Sequence, residues 1–207
     1  MLKLENISLK IDGNPLFSML NLEVNAGQVT TVMGPSGCGK SSLLAHLCGT
    51  LPPVFETSGK VILNKRTLDN LPPHERKLGI LFQDDLLFPH LSVGENLAFA
   101  LPAKISRQER REKIELALEE IELSGMCERD PASLSGGQRA RVTLMRTLLA
   151  QPEALLLDEP FSKLDQELRG RFRKLVFAHA VKYQLPTLLV THDPADAQAA
   201  SGEILAF

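Results

Sequence analysis

The sequence predicts an α/β fold in which a mostly parallel β-sheet is covered by helices. Short apolar runs of strand length recur along the chain, separated by segments with helical spacing. These runs are Val29–Met33, Val61–Leu63, Leu78–Phe82, Ala154–Leu157 and Thr187–Val190. A glycine-rich loop joins the first run directly to a predicted helix, Ser41–Cys48. Strands that alternate with helices in this way favour parallel pairing within one sheet.

The N-terminal segment Leu2–Ile11 mixes apolar and polar residues, unlike the continuous apolar runs that follow it. We interpret this segment as a further strand. It predicts a small N-terminal β subdomain beside the parallel core.

The glycine-rich loop Gly34–Ser41 has the sequence GPSGCGKS and fits the P-loop pattern G-x-x-x-x-G-K-[ST]. Its glycines let the backbone wrap closely around phosphate oxygens. Lys40 is then expected to reach the β- and γ-phosphates, and the Ser41 hydroxyl to ligate Mg²⁺. The residues predicted to bind the nucleotide are Gly34, Pro35, Ser36, Gly37, Cys38, Gly39, Lys40, Ser41 and Ser42.

The middle of the chain, residues 92–150, contains no clear strand pattern and predicts a helical subdomain inserted into the core. Ser106 and Glu109 have the spacing of a capping box. Ile114, Leu118 and Ile121 follow at helical spacing among charged neighbours. We therefore expect one domain over 1–207, with its core formed by residues 1–91 and 151–207.

A second glycine turn, Leu134–Gln138, has the sequence LSGGQ and precedes a predicted helix from Gln138 to Ala150. Backbone N–H groups at the start of a helix bind anions. One chain has little use for two such sites on one nucleotide. Two copies that face each other do, if each lends its second turn to the ATP of the other. We therefore expect Ser135, Gly136, Gly137 and Gln138 to contact ATP across a dimer.

The apolar strand Ala154–Leu157 continues into Asp158 and Glu159. Asp158, at a strand end beside the P-loop, is expected to hold Mg²⁺ through water. Glu159 is then placed to orient and polarise the attacking water. The alternative interpretation of both carboxylates is an ordinary charged strand terminus.

Three further polar residues follow apolar segments of the core. Gln83, at the end of the run Leu78–Phe82, is predicted to reach Mg²⁺ and the attacking water. His192 is predicted to bond the γ-phosphate or that water, although a lone histidine is more often structural. Asp165 is a candidate nucleotide-site residue and also a candidate N-cap for a helix over Gln166–Lys174.

The composition is that of an ordinary globular protein, with 207 residues, 43% hydrophobic and 23% charged. A net charge of -2 gives no support to a nucleic-acid partner held by bulk electrostatics. No apolar run reaches the length that spans a bilayer, and the N-terminus lacks a signal-peptide pattern. We therefore expect a cytoplasmic protein with three reduced cysteines, Cys38, Cys48 and Cys127. Any membrane role is expected to come through a partner.

Together these residues resemble the ATPase subunits of ABC transporters, and the resemblance covers the whole chain. Gly34–Ser41 is similar to the Walker A motif of that family and Leu155–Glu159 to its Walker B motif. Leu134–Gln138 matches the signature that separates the family from other P-loop ATPases. Gln83 matches the Q-loop, Ser162–Asp165 the D-loop and His192 the H-loop.

The resemblance implies a P-loop NTPase core and a mechanism. Two subunits would sandwich two ATP molecules head to tail, close with ATP and reopen on hydrolysis. Segment 82–93 is similar to ATPases of bacterial importers, such as those for thiamine, molybdate or sulfate. The family implies peripheral association with the inner face of the cell membrane. Its implied partners are integral permease subunits, whose short helix would enter the groove beside Gln83, and an external solute-binding protein.

This chain departs from the family pattern at a few positions. The family usually places an aromatic ring against adenine at the position of Ile11, and Phe17 is the nearest aromatic residue along the chain. Lys163 replaces a residue that is usually small. Because the sequence ends at Phe207, soon after His192, we expect no substrate-sensing domain.

Two other functions are consistent with part of the pattern. A soluble ABC ATPase of the DNA-repair type would need a long coiled coil between the P-loop and the signature, and no sustained heptads occur there. Translation types usually fuse two ATPase units, whereas this chain has one. A nucleotide kinase or simple P-loop switch would leave Leu134–Gln138 and His192 without a role. The resemblance therefore favours a transporter ATPase over both.

Overall fold

The structure is a computed structural model that describes residues 1–35 and 37–207. Ser36, which the sequence pattern assigns to the nucleotide-binding loop, lies outside the described residues. The chain forms two β-sheets, one antiparallel and one parallel, with helices packed around the parallel sheet.

The antiparallel sheet contains the N-terminal strand and three strands that flank it. Its members are β1 (Leu2–Ile11), β2 (Asn14–Val24), β4 (Phe55–Leu63) and β5 (Arg66–Thr67), in the order β2-β1-β4-β5. The predicted β subdomain is therefore present, but Val61–Leu63 belongs to it and not to the parallel sheet. The apolar run ends a longer strand whose preceding residues are mostly exposed, which is typical of an antiparallel sheet with one solvated face.

The parallel sheet confirms the predicted α/β core. Its strands are β3 (Val29–Met33), β6 (Leu78–Leu81), β7 (Ala154–Asp158), β8 (Thr187–Thr191) and β9 (Ile204–Ala206), in the order β6-β7-β8-β3-β9. Every adjacent pair is parallel. Alternate residues of β7 and β8 enter two separate apolar clusters, one on each face of the sheet. This burial on both faces explains why these strands are continuous apolar runs.

The helices are α1 (Lys40–Cys48), α2 (Val93–Ala98), α3 (Arg107–Glu120), α4 (Gly136–Leu149), α5 (Gln166–Lys182) and α6 (Pro194–Ala200). Single 3-10 turns cover Pro73–Glu75 and Pro131–Ser133. Helix α1 packs under the antiparallel sheet through Leu43, Leu44 and Leu47. Helices α2 to α5 cover the opposite face of the parallel sheet.

Helices α2, α3 and α4 lie between β6 and β7 in the chain. Ile114, Leu118 and Ile121 are buried together, as their spacing predicts. The predicted capping box at the start of α3 is only half formed. The Ser106 side chain accepts a hydrogen bond from the Glu109 N–H at 3.1 Å, but the Glu109 carboxylate pairs with Lys113 instead, at 3.5 Å. An i,i+4 ion pair has here displaced the second bond of the box.

None of the helices within residues 1–35 and 37–207 is both long enough and apolar enough to cross a lipid bilayer.

Candidate active site

The glycine loop connects the end of β3 to the first turn of α1, as the P-loop pattern requires. Gly39 stands at the N-cap of α1 with φ of 97°, a left-handed conformation that favours glycine. A Cβ atom at this position would also lie 3.2 Å from the Phe17 ring. The Lys40 ammonium donates to the carbonyl oxygens of Gly34 and Pro35, each at 2.8 Å. The Lys40 ammonium is thus bound to carbonyl oxygens of the same loop that is proposed to bind phosphate.

Helix α1 differs from the other helices in how its N-terminus is satisfied. Across the part of the chain that the structure describes, no side chain caps α1. Each of the other α-helices has a side-chain cap, from Ser92, Ser106, Ser135, Asp165 or Asp193. The first N–H groups of a helix have no carbonyl partner within it. Those of α1 are therefore available to an anion, and the positive end of its dipole favours one.

A serine and a carboxylate meet beside the loop in an arrangement that suits a divalent cation. The Ser41 hydroxyl donates to Asp158 Oδ1 at 3.2 Å. Burial raises the pKa of the Asp158 carboxyl; the Ser41 hydrogen bond opposes that shift, and the charge of Glu159 adds to it. A half-buried carboxylate with an acidic neighbour gains from a bound cation. Carboxylate and hydroxyl oxygens are ligands that Mg²⁺ prefers, so the donor set fits this ion.

Glu159, the residue after Asp158, has φ of 46°, which is unusual for a residue with a side chain. Its N–H donates to the carbonyl of Val190 at 2.9 Å, so the end of β8 holds this conformation in place. The side chain is 22% exposed, and Oε1 lies 3.0 Å from Nδ1 of His192.

One cavity of about 390 Å³ brings about half of the predicted site residues together, without Gly34, Pro35 and Cys38 of the P-loop. Its lining includes residues from the P-loop, from the ends of β6 and β7, and from the N-terminal sheet. These are Ile11, Leu16, Gly37, Gly39, Lys40, Ser41, Ser42, Phe55, Gln83, Asp158 and Glu159. Leu16 and Phe55 were not predicted from the sequence. Strand residues of the antiparallel sheet carry no local motif, and only the pairing of β1 with β4 brings Phe55 to the cavity.

The signature residues Ser135–Gln138 and Asp165 do not line this cavity. His192 also lies outside the lining but reaches it through Glu159. The structure therefore divides the predicted residues into two groups. The P-loop, the two carboxylates and Gln83 form one half-site, and the second glycine turn lies elsewhere on the same chain.

The second glycine turn begins helix α4 two residues earlier than expected, with Ser135 as its N-cap. A capping box joins Ser135 and Gln138: the serine hydroxyl accepts from the Gln138 N–H, and the Gln138 side chain accepts from the Ser135 N–H at 2.9 Å. Gly136 is exposed. Gly137 is buried, and a Cβ there would lie 2.4 Å from Leu168 of α5. Close helix packing accounts for the second glycine, and Ser135 and Gly136 face outward.

Asp165 is the N-cap of α5, which is one of the two roles predicted for it. Its carboxylate accepts from the Leu168 N–H at 2.9 Å and caps α5. The helix continues to Lys182, well beyond the predicted end at Lys174.

The segment after Gln83 contacts two other parts of the molecule, and no local sequence pattern predicts either contact. Asp84 forms an ion pair with Lys163, in the loop that follows Glu159. Asp85 accepts from Nε of Arg139 at 3.1 Å, and Arg139 in turn donates to the Leu134 carbonyl at 2.7 Å. The loop after Glu159 and the start of α4 are therefore both linked to the segment that begins at Gln83.

An open groove of about 640 Å³ lies beside the same segment. Three large apolar side chains on its walls are exposed: Phe82 at 44%, Leu86 at 56% and Phe99 at 70%. Asp84, Asp85 and Arg146 contribute charge to the lining. We call this feature the apolar groove. Exposed apolar clusters with a polar rim mark interaction surfaces.

The strand–loop–helix unit, its uncapped helix N-terminus and the Ser41–Asp158 pair define a P-loop ATPase. Comparison with known proteins refines this class. The family model described as "ABC transporter" matches residues 17–162. The chain belongs to the ABC transporter family and is an ATPase of that family.

Several proteins of known sequence are similar to the chain. The ABC transporter ATP-binding protein YnjD of Escherichia coli K12 is 49% identical over 201 residues, which are 97% of this chain and 93% of YnjD. The spermidine/putrescine import ATP-binding protein PotA of Legionella pneumophila strain Paris is 38% identical over 208 residues. The Fe(3+) ions import ATP-binding protein FbpC of Brucella abortus strain 2308 is 39% identical over 202 residues. This chain spans only 56% of the length of each of these two import proteins.

Among solved structures, the ATP-binding cassette MJ0796 in a dimeric post-hydrolysis state with ADP and Pi is similar to this chain. The TM-score is 0.81 at 29% identity, and the match covers 100% of this chain and 94% of the cassette. This likeness confirms the predicted P-loop NTPase fold with its antiparallel and parallel sheets.

Proposed function

We propose that this chain is the ATP-hydrolysing subunit that powers a membrane ABC transporter, and that the transporter takes up a small solute. The names of PotA and FbpC, both import ATP-binding proteins, support the direction of transport. The chemistry of the solute is set by partner proteins.

The observation that carries this proposal is the separation of the two glycine turns. The P-loop, Asp158 and Glu159 share one cavity, whereas Ser135 and Gly136 are exposed outside it. A second copy placed head to tail would bring its outward-facing Ser135 and Gly136 to the phosphates. The dimeric form of the similar cassette supports this arrangement.

Within each half-site, the P-loop residues and Ser42 bind the phosphates through N–H groups and the Lys40 ammonium. Ser41, Asp158 and Gln83 hold Mg²⁺, which neutralises phosphate charge when it is bound. Glu159 accepts a proton from the attacking water, and its short contact with His192 fixes the orientation of its carboxylate. Asp165, as the cap of α5, positions the loop that faces the partner copy.

The apolar groove is the proposed contact for the integral permease subunits. Its exposed rings suit the apolar face of a short helix. We propose that residues 92–150, which supply Phe99 and Arg146 to the groove, act as one helical subdomain within a single domain. The protein would then lie in the cytoplasm at the inner face of the membrane. An external solute-binding protein would complete the system.

Purification from detergent-solubilised membranes tests the permease contact. Two variants have matched exposure: Phe99→Glu at 70%, inside the groove, and Leu116→Glu at 65%, on α3 outside it. We expect an integral membrane protein to copurify with the unaltered chain and with Leu116→Glu, and to be lost with Phe99→Glu. Equal recovery with both variants would contradict the groove assignment. A chain that recovers no membrane protein at all would contradict the transport function.

A further inference from the structure

The antiparallel sheet contributes apolar side chains to the lining of the active-site cavity. Ile11 ends β1, Phe55 begins β4, and the two residues are directly opposite each other in the antiparallel register. Side chains of opposed residues project to the same face of a sheet, with Cβ atoms about 5 Å apart. Both are half-buried, and both line the cavity that contains Gly39–Ser42.

Phe17, the aromatic residue nearest to Ile11 along the chain, has other partners. Its ring centroid lies 5.0 Å from that of Phe207, and its edge packs where a Cβ of Gly39 would stand. The Phe207 N–H donates to the Met33 carbonyl at 2.7 Å, which anchors this pair beside β3. Phe17 is not among the residues that line the cavity. It therefore packs against the glycine loop from outside the cavity.

The cavity is lined by both polar and apolar side chains. The polar ones, Lys40, Ser41, Asp158 and Glu159, come from the start of α1 and the end of β7, beside the loop proposed to bind the phosphates. The apolar ones, Ile11, Leu16 and Phe55, come from the antiparallel sheet, and Phe55 supplies the aromatic ring among the described lining residues. A nucleotide whose phosphates contact the P-loop can therefore place its base against Ile11 and Phe55, which are paired across the sheet.

We propose that Phe55 stacks on the purine base of the bound nucleotide, and that Ile11 packs beside it. The ring that stacks on the base comes from β4, since the usual position on β1 holds an aliphatic residue. This inference rests on the nucleotide site described above and is independent of the membrane partner.

The ratio of two affinities tests the stacking. ATP carries a base that would contact Ile11 and Phe55, whereas inorganic tripolyphosphate has only the phosphates that would contact the P-loop. Phe55→Leu keeps apolar packing but removes the ring, and we expect it to weaken ATP binding about 3- to 10-fold. Tripolyphosphate affinity should stay unchanged. Phe17→Leu is the matched control, because it removes a ring that touches the loop but not the base; it should leave the ratio of the two affinities constant.

Fluorescence provides a second measurement, because the sequence contains no tryptophan. Phe55→Trp and Phe17→Trp each introduce a single emitter. We expect ATP to quench the emission of Phe55→Trp strongly and tripolyphosphate to leave it nearly unchanged. Phe17→Trp should respond alike to both ligands.

The outcomes separate the stacking from the site itself. If Phe55→Leu folds and its ratio of ATP affinity to tripolyphosphate affinity is unchanged, Phe55 does not stack on the base. The same conclusion follows if ATP quenches Phe17→Trp more than tripolyphosphate does and Phe55→Trp shows no such difference. If Phe55→Leu fails to fold, Phe55→Tyr should fold and bind ATP as tightly as the unaltered chain, and weaker binding would count against stacking. If the unaltered chain binds tripolyphosphate but shows no preference for ATP, the base contact is absent. Failure to bind either ligand would overturn the nucleotide site as a whole.

Discussion

The Nδ1 atom of His192 lies 3.0 Å from Oε1 of Glu159, although the two residues follow the ends of different strands of the parallel sheet. Glu159 is mostly buried, and its backbone has φ of 46°. Asp193, next to the histidine, is held by Arg169 of α5 at 2.7 Å. The carboxylate that we propose as the proton acceptor is thus held in orientation by a loop that an ion pair fixes to α5.

Glu159→Gln removes the carboxylate that we propose accepts a proton from water, and it keeps nearly the same side-chain shape. We expect hydrolysis to fall about 10²-fold or more while ATP affinity stays within a few-fold. The variant should also accumulate as an ATP-bound dimer, visible by size exclusion with ATP. Glu153 immediately precedes the first residue of β7, and Glu153→Gln is the control. It should hydrolyse ATP normally. Turnover at the unaltered rate in Glu159→Gln would refute the assignment.

His192→Ala should lower kcat about 10- to 100-fold and leave KM for ATP nearly unchanged, because the histidine acts through the carboxylate. The double variant with Glu159→Gln should be no slower than Glu159→Gln alone, since residues that act as one unit are not additive. Single-turnover rates of the unaltered chain, the two single variants and the double variant measure whether the two losses add. Multiplicative losses would show that His192 contacts the nucleotide independently of Glu159.

Ser135 caps α4 and is also proposed to reach the ATP of a second copy. Ser92 caps α2 with the same type of capping box, so it is a matched control. Ser92→Ala and Ser135→Ala should each lower the free energy of unfolding by about 1 kcal/mol, which lowers Tm by roughly 2–4 °C. Only Ser135→Ala should lower the ATPase rate. Equal rates in both variants would limit Ser135 to a capping role.

A shared site also predicts complementation between two inactive variants. Ser135→Arg and Lys40→Ala should each be inactive alone, but one composite site remains intact in a mixed dimer. We expect mixtures to regain part of the unaltered rate. Heterodimers that form, shown by differently tagged chains, and remain inactive at every ratio would argue against a site built from two chains.

The ion pair of Lys163 with Asp84 joins the loop after Glu159 to the wall of the apolar groove. Both side chains are more than half exposed, so the pair should add little to stability. Lys163→Glu should therefore keep Tm and basal hydrolysis but lower the stimulation by the permease. The exchange variant Lys163→Asp with Asp84→Lys should recover it. A loss of stimulation that the exchange does not restore would mean that the charges act separately.

The cysteines should differ in reactivity toward alkylating reagents. Burial raises the pKa of Cys48 to about 11, so at neutral pH its thiolate fraction is very small and labelling should be slow. Cys38 lies in the P-loop, 3.8 Å from the Lys40 ammonium. Its side chain does not line the cavity, but a bulky group attached to it would distort the loop that is proposed to bind phosphate. Alkylation of Cys38 should inactivate the ATPase, and MgATP should protect it.

Mass-spectrometric labelling of the three thiols with and without MgATP measures this difference. Cys38→Ala should stay active and resist the reagent. Equal labelling of Cys38 in both conditions would place the phosphates away from this loop.

Sequence spacing alone predicted the local units of the site. The P-loop, the carboxylates at the end of β7 and the Ser135 turn are each defined by neighbouring residues, so steric and hydrogen-bonding preferences over a few positions determine them. The apolar runs predicted β3, β6, β7 and β8, because strands buried on both faces are apolar throughout. The strand over Asn14–Val24 was not predicted, because most of its residues are exposed and lack that signal.

Local sequence patterns therefore predict the fold class and the chemical groups of one half-site. The contacts between residues distant in sequence depend on the folded chain: Phe55 with Ile11, His192 with Glu159, and Asp84 with Lys163. These pairs depend on strand register and on the packing of loops at one edge of the sheet. Such contacts are set by the burial of the whole core, and no short stretch of sequence encodes them.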